Sequence, residues 1–221
     1  MKFKQIIIVF TPLLLVSCAN INKKSSALED IVKTVCRVRL TSEKKTLYGT
    51  GFVVEEGKII TLASNISGYN ISGSKLEVQF YDWEYTYKSA FVVKEIEDSA
   101  FVLIGLDDGN AIKPKIKLVD KKCQIGETVY SIINVNDSSI ALTKGIVSKV
   151  DFVESKNSII GGKYIETSTP FYEGASGGPL LNEDFECIGF VSHANYDYNN
   201  QIICQYSYSL PASYALEFLK C

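Results

Sequence analysis

The stretch Gly174-Ala175-Ser176-Gly177-Gly178-Pro179-Leu180 places a serine among glycines and governs how the rest of the chain is interpreted. Glycine adopts backbone conformations that other residues avoid, so this segment can turn sharply around Ser176. Such a turn lets the backbone N–H groups of Gly174 and Ser176 converge on one point. A carbonyl oxygen that becomes negative at that point is stabilised by the two donors. The pattern therefore predicts a loop built to hold a developing negative charge beside a serine hydroxyl.

Landmarks on both sides of this stretch follow one another in a fixed order. They are Gly49-Thr50-Gly51-Phe52-Val53-Val54, Ile59-Ile60-Thr61, Asp98-Ser99-Ala100-Phe101-Val102-Leu103, Gly126-Glu127-Thr128-Val129, Thr143-Lys144-Gly145-Ile146-Val147-Ser148, Ile165-Glu166-Thr167-Ser168-Thr169-Pro170, Gly189-Phe190-Val191-Ser192 and Tyr208-Ser209-Leu210-Pro211. In order and spacing they resemble the protease domain of the Deg/HtrA group of trypsin-like serine proteases, from about residue 30 to the last residue. We expect the PDZ domain usual in that group to be missing, because the sequence stops after the last predicted helix.

The resemblance implies an all-β fold of two packed six-stranded antiparallel barrels with a C-terminal α-helix. It implies that Ser176 holds the nucleophile position and Asp98 the acid position, and that the N–H groups of Gly174 and Ser176 form the oxyanion hole. A solvated turn residue is the alternative interpretation of Asp98. The same resemblance assigns four further residues to the substrate cleft, namely Pro170, Ser192, His193 and Ser207, with Ser192 supporting Asp98 from behind.

The catalytic histidine is absent where the resemblance requires it. The family has Thr-x-x-His after the hairpin, whereas this chain has Thr61-Leu62-Ala63-Ser64, so Ser64 occupies the base position. A serine hydroxyl is far too weak a base near neutral pH to take the proton from Ser176. In a serine hydrolase of another fold, loss of the histidine alone costs about a millionfold in turnover, or about 8 kcal/mol of barrier. The sequence therefore predicts a catalytically inactive pseudoprotease that binds a peptide or protein.

Two other classes of function stay open. A weakly active or unusual serine hydrolase would use Ser176 with a non-histidine base, such as a lysine or a group supplied by the substrate. The only histidine, His193, lies after the nucleophile, and we expect its ring to face a bound peptide and to pack among Tyr196 and Tyr198. A purely structural envelope lipoprotein, in which the cleft is a relic, is the remaining class.

The specificity pocket departs from the family as well. Where the family has Gly-Phe-Ala-Ile-Pro on the last strand, this chain has Ser207-Tyr208-Ser209-Leu210-Pro211. A side chain at Ser207 narrows a pocket that glycine leaves open, and Tyr206 adds bulk nearby. Ala175 replaces the usual Asn or Asp, whose side chain the oxyanion hole does not need. Loss of both the base and the pocket glycine is simplest to explain by abandoned chemistry.

The first twenty residues predict export and lipid anchoring. Lys2 and Lys4 form a positive region, and the apolar run from Ile6 to Val16 is too short to span a bilayer. Leu15-Val16-Ser17-Cys18 resembles the lipobox of bacterial lipoproteins. That resemblance implies cleavage before Cys18, lipidation of its sulfur and anchoring to a membrane of the cell envelope. An ordinary signal peptide that contains a cysteine is the alternative.

The remaining cysteines match no metal pattern, and we expect neither a metal nor a cofactor. They are Cys36, Cys123, Cys187, Cys204 and Cys221, an odd number in an exported chain. Cys36 and Cys123 are expected to be small buried hydrophobes. A cross-strand disulfide between Cys187 and Cys204 is the open alternative to free thiols.

Composition and hydrophobic patterning set the class and the boundaries. Hydrophobic residues make up 46% and charged residues 22%, enough for a real core, and a net charge of −2 argues against a nucleic-acid partner. Predicted segments are a leader over 1–17, a lipidated tether over 18–29 and one domain over 30–221. Within the domain we expect barrels at about 30–106 and 123–210 and a helix at about 211–220. Short β-branched and aromatic runs predict eleven strands, starting near residues 35, 51, 58, 76, 85, 101, 128, 140, 163, 186 and 202.

Overall fold

The computed structural model describes residues 26–82, 86–106, 113, 116–153, 163–196 and 202–221. Within these ranges the strands form two closed, six-stranded antiparallel barrels, which confirms the predicted fold class. The leader and Cys18 lie outside the described residues. The two barrels follow one another along the chain, so the first contains three of the eight landmark motifs and the second contains five.

The N-terminal barrel follows a helix α1 over 26–32 and closes in the strand order β1-β2-β3-β6-β5-β4. Its strands are β1 (Val35–Thr41), β2 (Thr46–Glu55), β3 (Lys58–Leu62), β4 (Lys75–Phe80), β5 (Lys88–Glu95) and β6 (Phe101–Leu106). A one-turn 3-10 helix, Ala63–Ile66, follows β3. Since β1 pairs with both β2 and β4, the sheet has no free edge.

The C-terminal barrel closes in the order β10-β11-β12-β9-β8-β7. Its strands are β7 (Thr128–Val135), β8 (Ser139–Val153), β9 (Lys163–Thr167), β10 (Pro179–Leu181), β11 (Cys187–Tyr196) and β12 (Ile202–Pro211), followed by helix α2 (Ala212–Lys220). The strand β10 was not predicted, because three residues that directly follow a glycine turn are too few to show an alternating pattern. In the first barrel, β5 begins later than expected, at Lys88.

An aromatic cluster joins the two barrels. Phe52 of β2 and Phe101 of β6 both contact Phe190 of β11, with ring centroids 5.1 Å and 4.9 Å apart. All three rings are buried, and Phe218 of α2 lies 6.2 Å from Phe101. Aromatic pairs at such separations contribute about 0.5–1.5 kcal/mol each beyond the area that they bury. The barrels therefore share one apolar core at their junction.

Helix α2 packs its apolar stripe against the barrels. Ala212, Ala215 and Phe218 are buried at a helical spacing of three. At the C-terminal end of the helix, Lys94 of β5 donates to the carbonyl of Phe218 at 2.6 Å and lies 4.8 Å from its ring. A cation at this end complements the helix dipole. Across the described ranges, no helix has the length and apolar character needed to cross a membrane.

Among the described side chains, Cys36, Cys123, Cys187 and Cys221 are free thiols. Cys36 is completely buried as predicted, whereas Cys123 is only half-buried. The disulfide between Cys187 and Cys204 does not form: Cys187 is a free thiol that pairs with Leu181 at the start of β11. The Cys204 segment pairs with the other end of that strand, beyond Ala194, because the hairpin turns there. Burial raises the pKa of the Cys187 thiol to about 12, so the thiol stays protonated and unreactive.

Candidate active site

Two tight turns shape the loop around Ser176. In the first, over residues 172–175, Ala175 donates its N–H to the carbonyl of Tyr172 at 3.0 Å, and Gly174 has a φ of 90°. A positive φ at this third position is what a type II turn requires, which explains the glycine. In the second, Gly178 donates its N–H to the carbonyl of Ala175 at 3.1 Å. Ser176 is therefore the second residue of the second turn and directly follows the first turn.

The turns fix the direction of two N–H groups. In a trans peptide the C=O and the following N–H point in opposite directions, so a bond to the carbonyl also orients the amide. The carbonyl of Glu173 accepts from the N–H of Asn136 at 2.8 Å, and that of Ala175 accepts from Gly178. Among the residues that the structure describes, the N–H groups of Gly174 and Ser176 have no backbone acceptor. Two unengaged, fixed donors are what an oxyanion hole needs.

The other carbonyls of the loop are tied to the N-terminal barrel. Thr50 of β2 donates its N–H to the carbonyl of Ser176 at 2.7 Å and its hydroxyl to the carbonyl of Gly174 at 2.7 Å. Asn65 donates a side-chain amide bond to the same Ser176 carbonyl at 2.8 Å. Because these contacts cross the junction, both barrels must be in place for the loop to take this shape.

Three buried polar residues of this junction were not predicted. Thr50 lies in the glycine-rich hairpin, whose sequence indicates the family but no role for the threonine. Asn65 directly follows the base position. Asn134 of β7 donates its N–H to the hydroxyl of Thr50 at 2.8 Å, and its own side-chain oxygen Oδ1 is buried without a partner in the described structure. The sequence does offer one sign of such a residue, a threonine between Gly49 and Gly51 beside the apolar residues of the same strand. A hydroxyl buried there needs a hydrogen-bond partner.

The base position lies at the same junction. Ser64 is exposed on the 3-10 turn, one residue before Asn65, which contacts the Ser176 carbonyl. Its other neighbour, Ala63, donates its N–H to the carbonyl of Ala100 at 2.7 Å, two residues after Asp98. The backbone therefore brings the three predicted triad positions to one end of the barrel interface.

The acid position does not have the contacts that the resemblance implies. Asp98 is exposed and has a φ of 62° in the turn that Ser99 closes by donating to Ile96 at 3.0 Å. Its carboxylate makes no hydrogen bond or ion pair with any residue in the described ranges. The hydroxyl of Ser192, which the resemblance places behind Asp98, instead lies 3.1 Å from Nδ1 of the adjacent His193. In this arrangement Asp98 has the environment of a solvated turn residue.

His193 is held by aromatic rings. Its half-buried ring stacks on Tyr208, at 5.1 Å and 23°, and meets the edge of Tyr164, at 5.1 Å and 90°. Packing of this ring against Tyr196 and Tyr198 stays a prediction, because Tyr198 and the side chain of Tyr196 lie outside the described residues. Tyr208 faces His193 directly across the β11–β12 ladder, which accounts for the stack.

Ser207 lies in a closed ring of three hydroxyls. Its oxygen is 2.9 Å from that of Thr167 and 2.8 Å from that of Thr169, and the two threonine oxygens are 2.7 Å apart. All three residues are completely buried, and half-buried Pro170 follows Thr169 toward the nucleophile loop. Since Ser207 has no accessible surface, no water-sized space adjoins it. The hydroxyl ring therefore fills this position instead of leaving an open pocket.

Comparison with known proteins agrees with this architecture. Residues 49–190 match the family described as trypsin-like peptidase domain. The chain is 30% identical over 161 residues, 68% of its length, to the serine protease Do-like HtrA of Bacillus subtilis (strain 168). It is 30% identical over 143 residues, 64% of its length, to the probable periplasmic serine protease do/HhoA-like of Haemophilus influenzae. The chain spans 35% and 29% of the lengths of these two relatives.

Solved structures share the fold at lower identity. The active form of the Rv3671c protease from M. tuberculosis superposes with a TM-score of 0.71 at 19% identity, covering 88% of this chain and 82% of the other. Deg5 gives a TM-score of 0.70 at 18% identity, covering 89% and 92%. Two closed barrels, a serine loop at their junction and a family match over most of the domain point the same way. The chain belongs to the family of trypsin-like peptidase domains.

Proposed function

We propose that this chain is a lipid-anchored envelope protein whose trypsin-like domain binds a peptide or protein segment at the barrel junction without cleaving it. The observation that carries the proposal is Ser64 at the base position, exposed and with a side chain that cannot accept the proton of Ser176 near neutral pH. The only histidine of the chain is engaged between Tyr164 and Tyr208.

The same site keeps the parts that hold a ligand. The N–H groups of Gly174 and Ser176 are oriented and unengaged among the described residues, so they suit a carbonyl or carboxylate oxygen of a bound chain. Binding without turnover needs these donors but no base. The filled position at Ser207 favours a small side chain at the residue whose carbonyl meets the donors.

A photocrosslinking pair tests the binding. Benzoylphenylalanine replaces Tyr172, which is 41% exposed on the turn before Ser176, or Ile71, which is 61% exposed on a loop of the N-terminal barrel. We expect position 172 to capture a partner from the native envelope and position 71 to capture none, because only the first borders the donors. Equal capture at both positions, or none at 172, contradicts binding at this site.

A serine hydrolase with an unusual base is the second candidate, favoured by the intact geometry of the two donors. It requires Ser176 to act as a nucleophile in the wild type. That candidate expects a fluorophosphonate probe to label the wild type quickly and the Ser176→Ala variant not at all. The binding candidate expects equal, negligible labelling of both.

Membrane anchoring is proposed from Leu15-Val16-Ser17-Cys18 alone. We expect metabolic labelling with an alkynyl fatty acid to mark the wild type and to leave Cys18→Ala unlabelled, because the sulfur of Cys18 is the acceptor. Ser17→Ala, which keeps a small residue before the cysteine, serves as the matched control and is expected to stay labelled. Equal labelling of the wild type and Cys18→Ala would disprove lipidation at this residue.

A further inference from the structure

A row of polar residues crosses the N-terminal barrel where it meets its partner barrel. Thr50, Arg37 and Gln79 lie directly opposite one another on β2, β1 and β4, so their side chains share one face of the sheet. Thr50 and Gln79 are buried, and the Arg37 side chain is 11% exposed. Thr50 donates hydrogen bonds to two carbonyls of the nucleophile loop, and its neighbour Arg37 also donates across the junction.

Arg37 reaches across the junction to Asp137, in the turn between β7 and β8. One guanidinium nitrogen donates to the backbone carbonyl of Asp137 and lies 3.6 Å from its carboxylate, while another donates to Gln79. The phenol of Tyr87 donates to the same carboxylate, and burial together with this bond raises the pKa of Tyr87. The phenol therefore stays protonated, and the Asp137 carboxylate receives contacts from two side chains of the other barrel.

The turn that holds Asp137 also holds the nucleophile loop. Asn136 and Asp137 have φ values of 48° and 53°, and Ser138 donates its N–H to the carbonyl of Val135 at 2.8 Å, as in a type I′ turn. From this turn the N–H of Asn136 donates to the carbonyl of Glu173 at 2.8 Å. Arg37 thus contacts Asp137, and the adjacent residue, Asn136, bonds to the Glu173–Gly174 peptide that carries the Gly174 amide.

The two donors at Ser176 differ in what orients them. The Ser176 amide belongs to the Ala175–Ser176 peptide, whose carbonyl is held inside the loop by Gly178. The Gly174 amide belongs to the Glu173–Gly174 peptide, whose carbonyl is held only by Asn136 among the described residues. Rotation of that one peptide would turn the Gly174 N–H away, because it converts a type II turn to type I.

We propose that Arg37 and Tyr87 are positioning residues that orient the Gly174 donor by holding Asp137 and, through it, the β7–β8 turn. The N-terminal barrel thereby sets how well the site receives an anionic or carbonyl oxygen. This deepens the proposed function, since it explains how a site without a base keeps a formed oxyanion hole. It concerns the free protein and needs no bound ligand.

The test uses selective 15N-glycine labelling, because the chain has 15 glycines and their amides give a sparse spectrum. We expect Arg37→Met and Tyr87→Phe to displace or broaden the Gly174 resonance, while those of Gly178 and Gly126 keep their positions. Lys58→Met is the matched control: Lys58 pairs with Glu55 on the surface of the same barrel at 2.7 Å, and no ion pair or hydrogen bond joins it to the described residues of the other barrel. It is expected to leave all three resonances unchanged.

Thermal midpoints of the four proteins separate orientation from global loss of structure. Tyr87→Phe removes a single oxygen, so it keeps the test valid where Arg37→Met lowers stability. An unchanged Gly174 resonance in folded Tyr87→Phe and Arg37→Met overturns the proposal, as does a shift of all three glycines together. A failed crosslink at position 172 with a displaced Gly174 resonance would instead count against peptide binding alone.

Discussion

Wild-type protein leaves casein intact, and Ser64→His cleaves it slowly in a Ser176-dependent manner; this is the largest change in activity that we expect. An imidazole at position 64 supplies the base whose loss costs about a millionfold in a serine hydrolase of another fold. Only a small part of that factor should return, because side chains must be placed within about 0.5 Å for full effect. The Asp98 carboxylate is exposed and has no hydrogen-bond partner in the described structure, so no contact holds it in place to orient the new ring. Ser207 is buried in a filled position. Cleavage more than about tenfold above background, or about 1.4 kcal/mol, is expected.

The double variant Ser64→His/Ser176→Ala defines the background of the casein assay, since it has the new base but no nucleophile. Three results are informative. Cleavage by the wild type that Ser176→Ala abolishes would show that the pseudoprotease interpretation is wrong. Cleavage by Ser64→His alone would show that the site lacks only its base. If neither protein cleaves casein, the prediction fails. The unanchored carboxylate of Asp98 is then the first feature of the site to redesign.

Gly177→Ala is expected to lower the free energy of unfolding by about 2–5 kcal/mol, the largest effect on stability. Gly177 has a φ of 90°, where a side chain costs about 1–2 kcal/mol. A Cβ there would also lie 2.1 Å from the carbonyl oxygen of Thr50 and 2.6 Å from the hydroxyl of Thr61. Forcing an atom into such a packed site costs about 1–3 kcal/mol more. Urea denaturation of the variant measures the sum.

Gly126→Ala separates the two contributions. Gly126 has a φ of 92°, almost the same as Gly177, but a Cβ there meets nothing within 4 Å. We expect this control to lose only the conformational part, about 1–2 kcal/mol. Equal losses in the two variants would show that the junction relaxes around Gly177, which contradicts a rigid contact between Thr50 and the nucleophile loop.

Most of the fold could be predicted because its signals are local. Short β-branched runs between glycine turns predict a strand wherever they reach five residues or so, as at Lys58–Leu62, which matches the observed strand. Pro179–Leu181 failed this criterion because its place in the barrel comes from pairing with β7 and β11, not from its own sequence. The alternative of a disulfide between Cys187 and Cys204 failed for the same reason, because which residues face each other depends on where the hairpin turns.

The candidate site was predictable as positions but not as contacts. Ser64, Ser176 and Gly174 follow from motifs, since glycine and serine spacing is visible along the chain. The partners of the loop are not, because Thr50, Asn65 and Asn136 lie in three segments that meet only when both barrels are closed. Asp98 shows the converse: its motif is present, yet its carboxylate is exposed and has no hydrogen-bond partner in the described structure. A motif fixes where the backbone goes, while a side chain needs its neighbours to be fixed as well.

The aromatic cluster also makes the folding of each barrel depend on the other. Phe52 and Phe101 come from the first barrel, Phe190 from the second, and Phe218 from a helix that follows both in the chain. A first barrel that closes alone therefore leaves its junction face uncovered until β11 and α2 pack against it. Exposed aromatic surface of this kind invites aggregation. A folding intermediate in which only the first barrel has closed is thus the species most prone to aggregate, and Phe190→Ala should prolong its lifetime.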